Sequence, residues 1–278
     1  MKKILIFFIS FIILSNFALS QIGIYPQVVF MNQYNRSGNL KVMNYTDQPK
    51  EVEIDIRFGY PGYDSLGNVT LIYDNKEAEE LYSAQKFIKV FPKKLMLGPR
   101  EEQVIRFMAR NVGDLQDGTY YSRVFVISKN PPQEIDSNYT EGEIQARLEF
   151  RFTLMSVLIF QKGTTNCEVD ITDVISYNDS ANVNFLVGFE RQGNSPFFGT
   201  AEMNIYDKNN DLVAEKKEVT PIYFDSRKAF KFEKSKFDKG EYKVEITLTN
   251  EHKDVPDDYK IPFDAITKEF IVNVESEM

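Results

Sequence analysis

The sequence predicts an all-β protein made of two consecutive β-sandwiches, and three observations lead there. Short runs of alternating apolar and polar residues recur along the chain, separated by turn residues. Helical periodicity is almost absent, with one turn suggested over Glu77 to Ser83. The strand pattern pauses at Gln161-Lys162-Gly163-Thr164-Thr165, a polar glycine-containing linker, and then restarts.

Residues 1–20 have the build of a cleaved export signal. Lys2 and Lys3 form a positive head, Ile4 to Leu14 an apolar stretch, and Ala18-Leu19-Ser20 a small-residue cleavage site before Gln21. The apolar run is short for a bilayer span and no second one follows, so the mature chain is expected not to span a membrane. A periplasmic location is expected, with the cell surface or secretion as the alternative.

Residues 21–162 form the first predicted sandwich. Its strands are read at Ile22–Phe30, Ser37–Val42, Lys50–Arg57, Lys86–Phe91, Gln103–Ala109 and Thr119–Ser128. A polar loop follows from Asn130 to Thr140, and then a strand-like segment runs from Glu143 to Phe160. Ile144, Ala146, Leu148, Phe150, Phe152 and Leu154 point one way; Gln145, Arg147, Glu149, Arg151 and Thr153 point the other. At about 3.3 Å per residue the segment would span about 60 Å, far beyond a usual strand. A strand of that length and composition can serve its own sheet and something else.

Residues 163–278 form the second predicted sandwich. Seven runs (Glu168–Ile175, Asn182–Phe189, Thr200–Tyr206, Asp211–Lys217, Ala229–Glu233, Glu241–Leu248 and Glu269–Val274) match the size of one immunoglobulin-like domain. Both halves carry a glycine turn followed by a tyrosine entering a strand: Gly118-Thr119-Tyr120 and Gly240-Glu241-Tyr242. That arrangement resembles the tyrosine corner of immunoglobulin-like sandwiches, against the competing reading of two unrelated hairpin turns. The expectation is therefore two consecutive immunoglobulin-like β-sandwich domains.

Composition narrows the function. Of 33 Lys and Arg residues two lie in the leader, leaving 31 against 41 acids, so nucleic-acid binding is disfavoured. Cys167 is the single cysteine, which rules out an intramolecular disulfide; a small buried hydrophobe is the better reading, against a reactive thiol or an intermolecular link. Stability must come from burial, and 23 Phe and 15 Tyr supply the area. His252 is the single histidine and lies in a polar loop, without the held imidazole and nucleophile that hydrolytic triads need. Asp207, Asn209, Asp211 and Glu218 echo a calcium loop, yet Leu212 stands where that loop needs glycine; hairpin chemistry is the better reading. No enzyme, no metal and no cofactor are expected.

Several motifs in the first half carry a family resemblance. These are Ile24-Tyr25-Pro26-Gln27-Val28-Val29-Phe30, then Leu40-Lys41-Val42-Met43-Asn44, then Phe87-Ile88-Lys89-Val90-Phe91-Pro92. They continue with Leu97-Gly98-Pro99-Arg100-Glu101-Glu102-Gln103-Val104-Ile105-Arg106-Phe107 and with Leu115-Gln116-Asp117-Gly118-Thr119-Tyr120-Tyr121. Residues 22–162 thereby resemble the N-terminal domain of the PapD-like periplasmic pilus (fimbrial) chaperones; the second half matches in size and strand count. The resemblance implies a chaperone that lends a strand to secreted or pilus-type subunits whose immunoglobulin-like folds are incomplete. An outer-membrane assembly protein is a further implied partner.

The lent strand is then 143–160, with Ala146, Leu148, Phe150 and Phe152 as donors. The competing reading has those residues facing their own core. The family anchors the client's C-terminal carboxylate with an Arg in the first strand and a Lys late in the long strand. Those positions fall on Gln27 and on Met155 or Ser156, so no anchor residue is carried over; Arg151 or Arg147 is a possible substitute. The reading from another class is a structural or adhesive cell-surface protein. An exposed strand edge along 144–154 would favour the chaperone, and a strand buried in mid-sheet the surface protein.

Overall fold

The structure, a computed structural model, describes residues 21–131 and 150–275. Residues 1–20, expected to be an export signal, and the segment that holds Ala146 and Leu148 lie outside the described residues.

The first sandwich has two sheets. One orders β1 (Ile22–Tyr25), β3 (Ser37–Asn44), β9 (Glu102–Ala109) and β7 (Ile88–Phe91). The other orders β2 (Val28–Asn32), β11 (Arg151–Lys162), β10 (Gly118–Lys129), β4 (Lys50–Arg57) and β8 (Lys94–Leu97). The expected single run Ile22–Phe30 is therefore two strands in different sheets. Pro26 has no N–H to continue a ladder, so the chain leaves β3 there and joins β11 from Val28. Alternate residues from both sheets, among them Leu40, Val52, Phe107, Val124, Leu158 and Phe160, form a fully buried core. Between β4 and β7 stand a hairpin, β5 (Tyr60–Tyr63) with β6 (Val69–Ile72), and helix α1 (Lys76–Tyr82). Asn75 caps α1 by accepting the Ala78 N–H at 3.0 Å.

The second sandwich pairs one sheet, β12 (Cys167–Asn178), β13 (Asn182–Gly193) and β16 (Ser226–Glu233), with another. The latter orders β15 (Leu212–Ile222), β14 (Phe197–Tyr206), β17 (Gly240–Thr249) and β18 (Ile266–Val274). All seven expected runs are present, each lengthened by a few residues. Both tyrosine corners close: Tyr120 Oη donates to Gln116 O at 3.0 Å, and Tyr242 Oη donates to Asp238 O at 3.0 Å.

An aromatic cluster joins the sandwiches. Phe58, Tyr60, Tyr121 and Ile159 from the first meet Tyr223 from the second, with Phe224 and Phe198 packed against them. The Tyr121 and Tyr223 rings lie 4.7 Å apart. Polar ties flank the cluster: Gln161 Nε2 donates to Tyr259 O at 2.9 Å, and Thr119 Oγ1 meets Ser195 Oγ at 2.6 Å. The β5–β6 hairpin reaches over as well, its Tyr63 Oη donating to Pro221 O at 3.2 Å.

Candidate functional site

β11 changes character along its length. On one side it pairs with β10 antiparallel from Arg151 through Lys162. On the other side β2 covers it in parallel only from Val157 to Gln161. Val157 N donates to Gln27 O at 2.9 Å, and this is the first rung on that side. The alternation of a strand then turns the N–H and C=O groups of Thr153 and Met155 outward on the same side. No strand among the described residues pairs with them. Among the described residues the segment therefore offers one open ladder edge ahead of Val157.

Three large apolar side chains along this edge are unburied. Phe150 is 64% exposed, Phe152 44% and Met155 40%, whereas Leu158 and Phe160 on the same strand are fully buried. Phe150 and Phe152 belong to the face that packs into the core further along, but the opposing sheet does not reach them. Sequence reading placed this alternation at 143–160. The strand itself starts at Arg151 and runs on through Lys162, because β10 pairs with it up to Gly118. Ala146 and Leu148 lie outside the described residues.

The other face of the edge was not singled out from the sequence. Met155 Sδ accepts the Tyr73 hydroxyl at 3.4 Å, and Tyr73 lies 6.0 Å from the Phe125 ring. The Arg57 guanidinium sits 4.8 Å over that ring. A signal was present: strict alternation ends at Met155-Ser156-Val157-Leu158-Ile159-Phe160, the mark of a strand covered on both faces.

Gln27, the first position expected for a carboxylate-binding cation, is touched by Ser156, which with Met155 is one of two alternatives for the second. Ser156 Oγ donates to Gln27 O at 2.9 Å and so pins the start of β2 to β11. Three other residues weighed for chemistry hold structural posts. Cys167 is buried, and burial pushes its thiol up to about 11, so it stays protonated at neutral pH. His252 Nδ1 accepts the Asp254 N–H at 3.1 Å, closing its own turn, and burial lowers its pKa. Asp207 accepts the Asn209 and Asp211 N–H groups at 2.8 and 2.9 Å, so the calcium-like spacing is the β14–β15 hairpin turn. Among the described residues no helix is long and apolar enough to cross a membrane.

No family model and no curated protein matches the sequence. Solved structures are similar in fold. The YadV chaperone aligns over 91% of this chain and 100% of its own, at 12% identity and a TM-score of 0.47. The class 5 fimbriae chaperone CfaA aligns over 89% and 98%, at 14% identity and a TM-score of 0.46. A chain of the Salmonella enterica SafA pilin–SafB chaperone complex aligns over 91% and 97%, at 10% identity and a TM-score of 0.47. Likeness at this level leaves the function to the strand edges of the chain itself.

Proposed function

We propose that this chain is an exported, non-enzymatic chaperone-like protein that holds secreted or pilus-type subunits by β-strand addition to β11. The observation that carries the reading is the open edge ahead of Val157, bordered by exposed Phe150, Phe152 and Met155. An unprotected apolar edge is an aggregation hazard that folded proteins normally blunt, so its retention points to use. A client with an incomplete sheet supplies the missing partner: its backbone completes the ladder, and its groove takes the side chains.

Phe150 and Phe152 are the donor side chains among the described residues, and Ala146 and Leu148 extend the same alternation toward the N terminus. Burying each phenylalanine is worth about 1.5–3 kcal/mol before ordering costs. With none of Gln27, Met155 and Ser156 cationic, affinity falls on the ladder and the groove.

Two substitutions test the reading. Phe150→Glu should leave the fold intact and weaken client capture by about 10- to 100-fold, matching the lost burial. Thr153→Pro removes an outward N–H while the even-numbered residues keep their rungs to β10, and an edge strand tolerates proline there. It should weaken capture by about tenfold. Capture is read as co-purification of exported subunits from the periplasm, followed by titration of the captured subunit. Undiminished capture by both folded variants would remove β11 as the donor.

A further inference from the structure

The four-stranded sheet of the first sandwich, across the core from β11, leaves its outer face uncovered. Leu40, Val42, Ile88, Ile105 and Phe107 turn into the core, so the residues that alternate with them point outward. These include Val104, Arg106 and Met108 on β9, Lys41 on β3, and Lys89 and Phe91 on β7. The register sets a cation beside each apolar side chain: Lys41 pairs with Val104, Phe91 with Arg106, and Lys89 with Met108. Phe91 is 75% exposed, Met108 47% and Val104 37%.

Glu102 is the one carboxylate at the outward positions of the four strands, and Lys41 Nζ holds it at 2.9 Å. Arg106 and Lys89 have no ion pair among the described residues. The face is therefore cationic on a chain whose formal charge is −8. After Gly163 the sequence carries 14 Lys and Arg against 23 acids, so an anionic surface attracts this face and repels the second sandwich. The mixing of charge and apolar area decides the kind of partner. Protein interfaces gather apolar residues in a core and keep lysine out of it, with charge at the rim. Here the cations stand between the apolar side chains. That suits lipid headgroups, where each cation meets a phosphate and the apolar side chains enter shallowly beside it.

We infer that this face docks on an anionic lipid surface, with Phe91, Val104 and Met108 set among the headgroups and Lys41, Lys89 and Arg106 on their phosphates. β11 belongs to the opposite sheet, so a molecule docked this way holds that strand on the far side of the sandwich from the bilayer. The inference stands whether or not β11 is a donor.

The probe is vesicles of equal parts phosphatidylglycerol and phosphatidylcholine, compared with phosphatidylcholine alone. Protein starting at Gln21 is used, so that the apolar run Ile4 to Leu14 cannot carry the binding. Co-sedimentation should be at least about tenfold stronger with the anionic vesicles, and about 1 M salt, which cuts the Debye length to about 3 Å, should release most of it. Lys89→Gln with Arg106→Gln should lower partitioning about 25-fold, about fivefold for each cation lost. Phe91→Ser should lower it about tenfold. All three positions are exposed, so urea midpoints should be unchanged. Partitioning that ignores the lipid charge, or that survives the double glutamine variant or Phe91→Ser, would overturn the inference. So would salt-sensitive self-association through Lys89 and Arg106 in place of vesicle binding, which would assign the face to the acidic second sandwich of another copy.

Discussion

Asp64, Asp179 and Asp207 each open a turn between strands and accept backbone N–H groups two to four residues further on. Asp64 takes Leu66 N and Asn68 N at 2.9 and 2.8 Å, and Asp179 takes Ala181 N and Asn182 N at 2.9 and 2.7 Å. The same short side chain thus replaces main-chain partners at three tips. Hydrogen bonds to the ionised form hold all three carboxyls below the usual range, led by the Asn68 side chain at Asp64, the Asn184 side chain at Asp179 and the Asp211 N–H at Asp207. A folded-state pKa below the unfolded value gives stability that is present above about pH 3.9 and lost as pH falls through the folded value. Urea midpoints should therefore drop between pH 6 and pH 3. In Asp179→Asn the midpoint at pH 6 should be lower and its fall on acidification smaller. An unchanged acid dependence in that variant would show that the Asp179 turn does not contribute to it. Hydrogen bonding at such tips follows residue type, which is why the Asp207 loop read correctly as a turn from sequence.

The β5–β6 hairpin shows the opposite case, an element whose existence depends on a distant partner. Its tip is bonded to the second sandwich: Ala229 N donates to Gly67 O at 3.0 Å, and Tyr177 Oη donates to Leu66 O at 2.7 Å. Gly67 sits at φ 74°, and a Cβ there would collide with Ala229 N and the Leu186 side chain. Gly67→Ala is expected to cost about 1–3 kcal/mol in local stability through strain and displacement. The readout is faster hydrogen exchange at the Ala229 amide with the Val157 amide unchanged; equal protection at Ala229 would show that the tip is not held there. Sequence reading missed this hairpin and also β8, four residues long, because neither makes enough of its own alternating face. By contrast β4 was legible to the residue, since Val52, Ile54 and Ile56 alternate with Glu51, Glu53 and Asp55. The open edge of β11 was half legible. Alternation marked Phe150 and Phe152, but where the covering strand stops depends on Pro26, some 130 residues away in sequence.

At the scale of the whole molecule, β11 is clamped at one end and, among the described residues, open along one side at the other. Leu158 and Phe160 enter the first core, Ile159 enters the aromatic cluster between the sandwiches, and Gln161 bonds to the second sandwich. The open segment therefore projects from a fixed base, which limits the ordering cost of adding a partner strand. Tyr223 is the second sandwich's main contribution to that base, buried against Tyr60 at 5.6 Å and Tyr121 at 4.7 Å. Burial pushes its phenol up to about 12. Tyr223→Ala should cost about 3–5 kcal/mol, the range for deleting a large buried aromatic side chain. Because the lost contacts lie between two separate cores, the loss should also uncouple them, so that one calorimetric transition becomes two. Tyr121→Phe is the matched control: it keeps the ring and deletes a hydroxyl that has no hydrogen-bond partner among the described residues, so it should cost almost nothing. If Tyr223→Ala instead lowers a single transition without splitting it, the sandwiches are coupled through the polar ties at Thr119 and Gln161, and the aromatic cluster is not what fixes the base of β11.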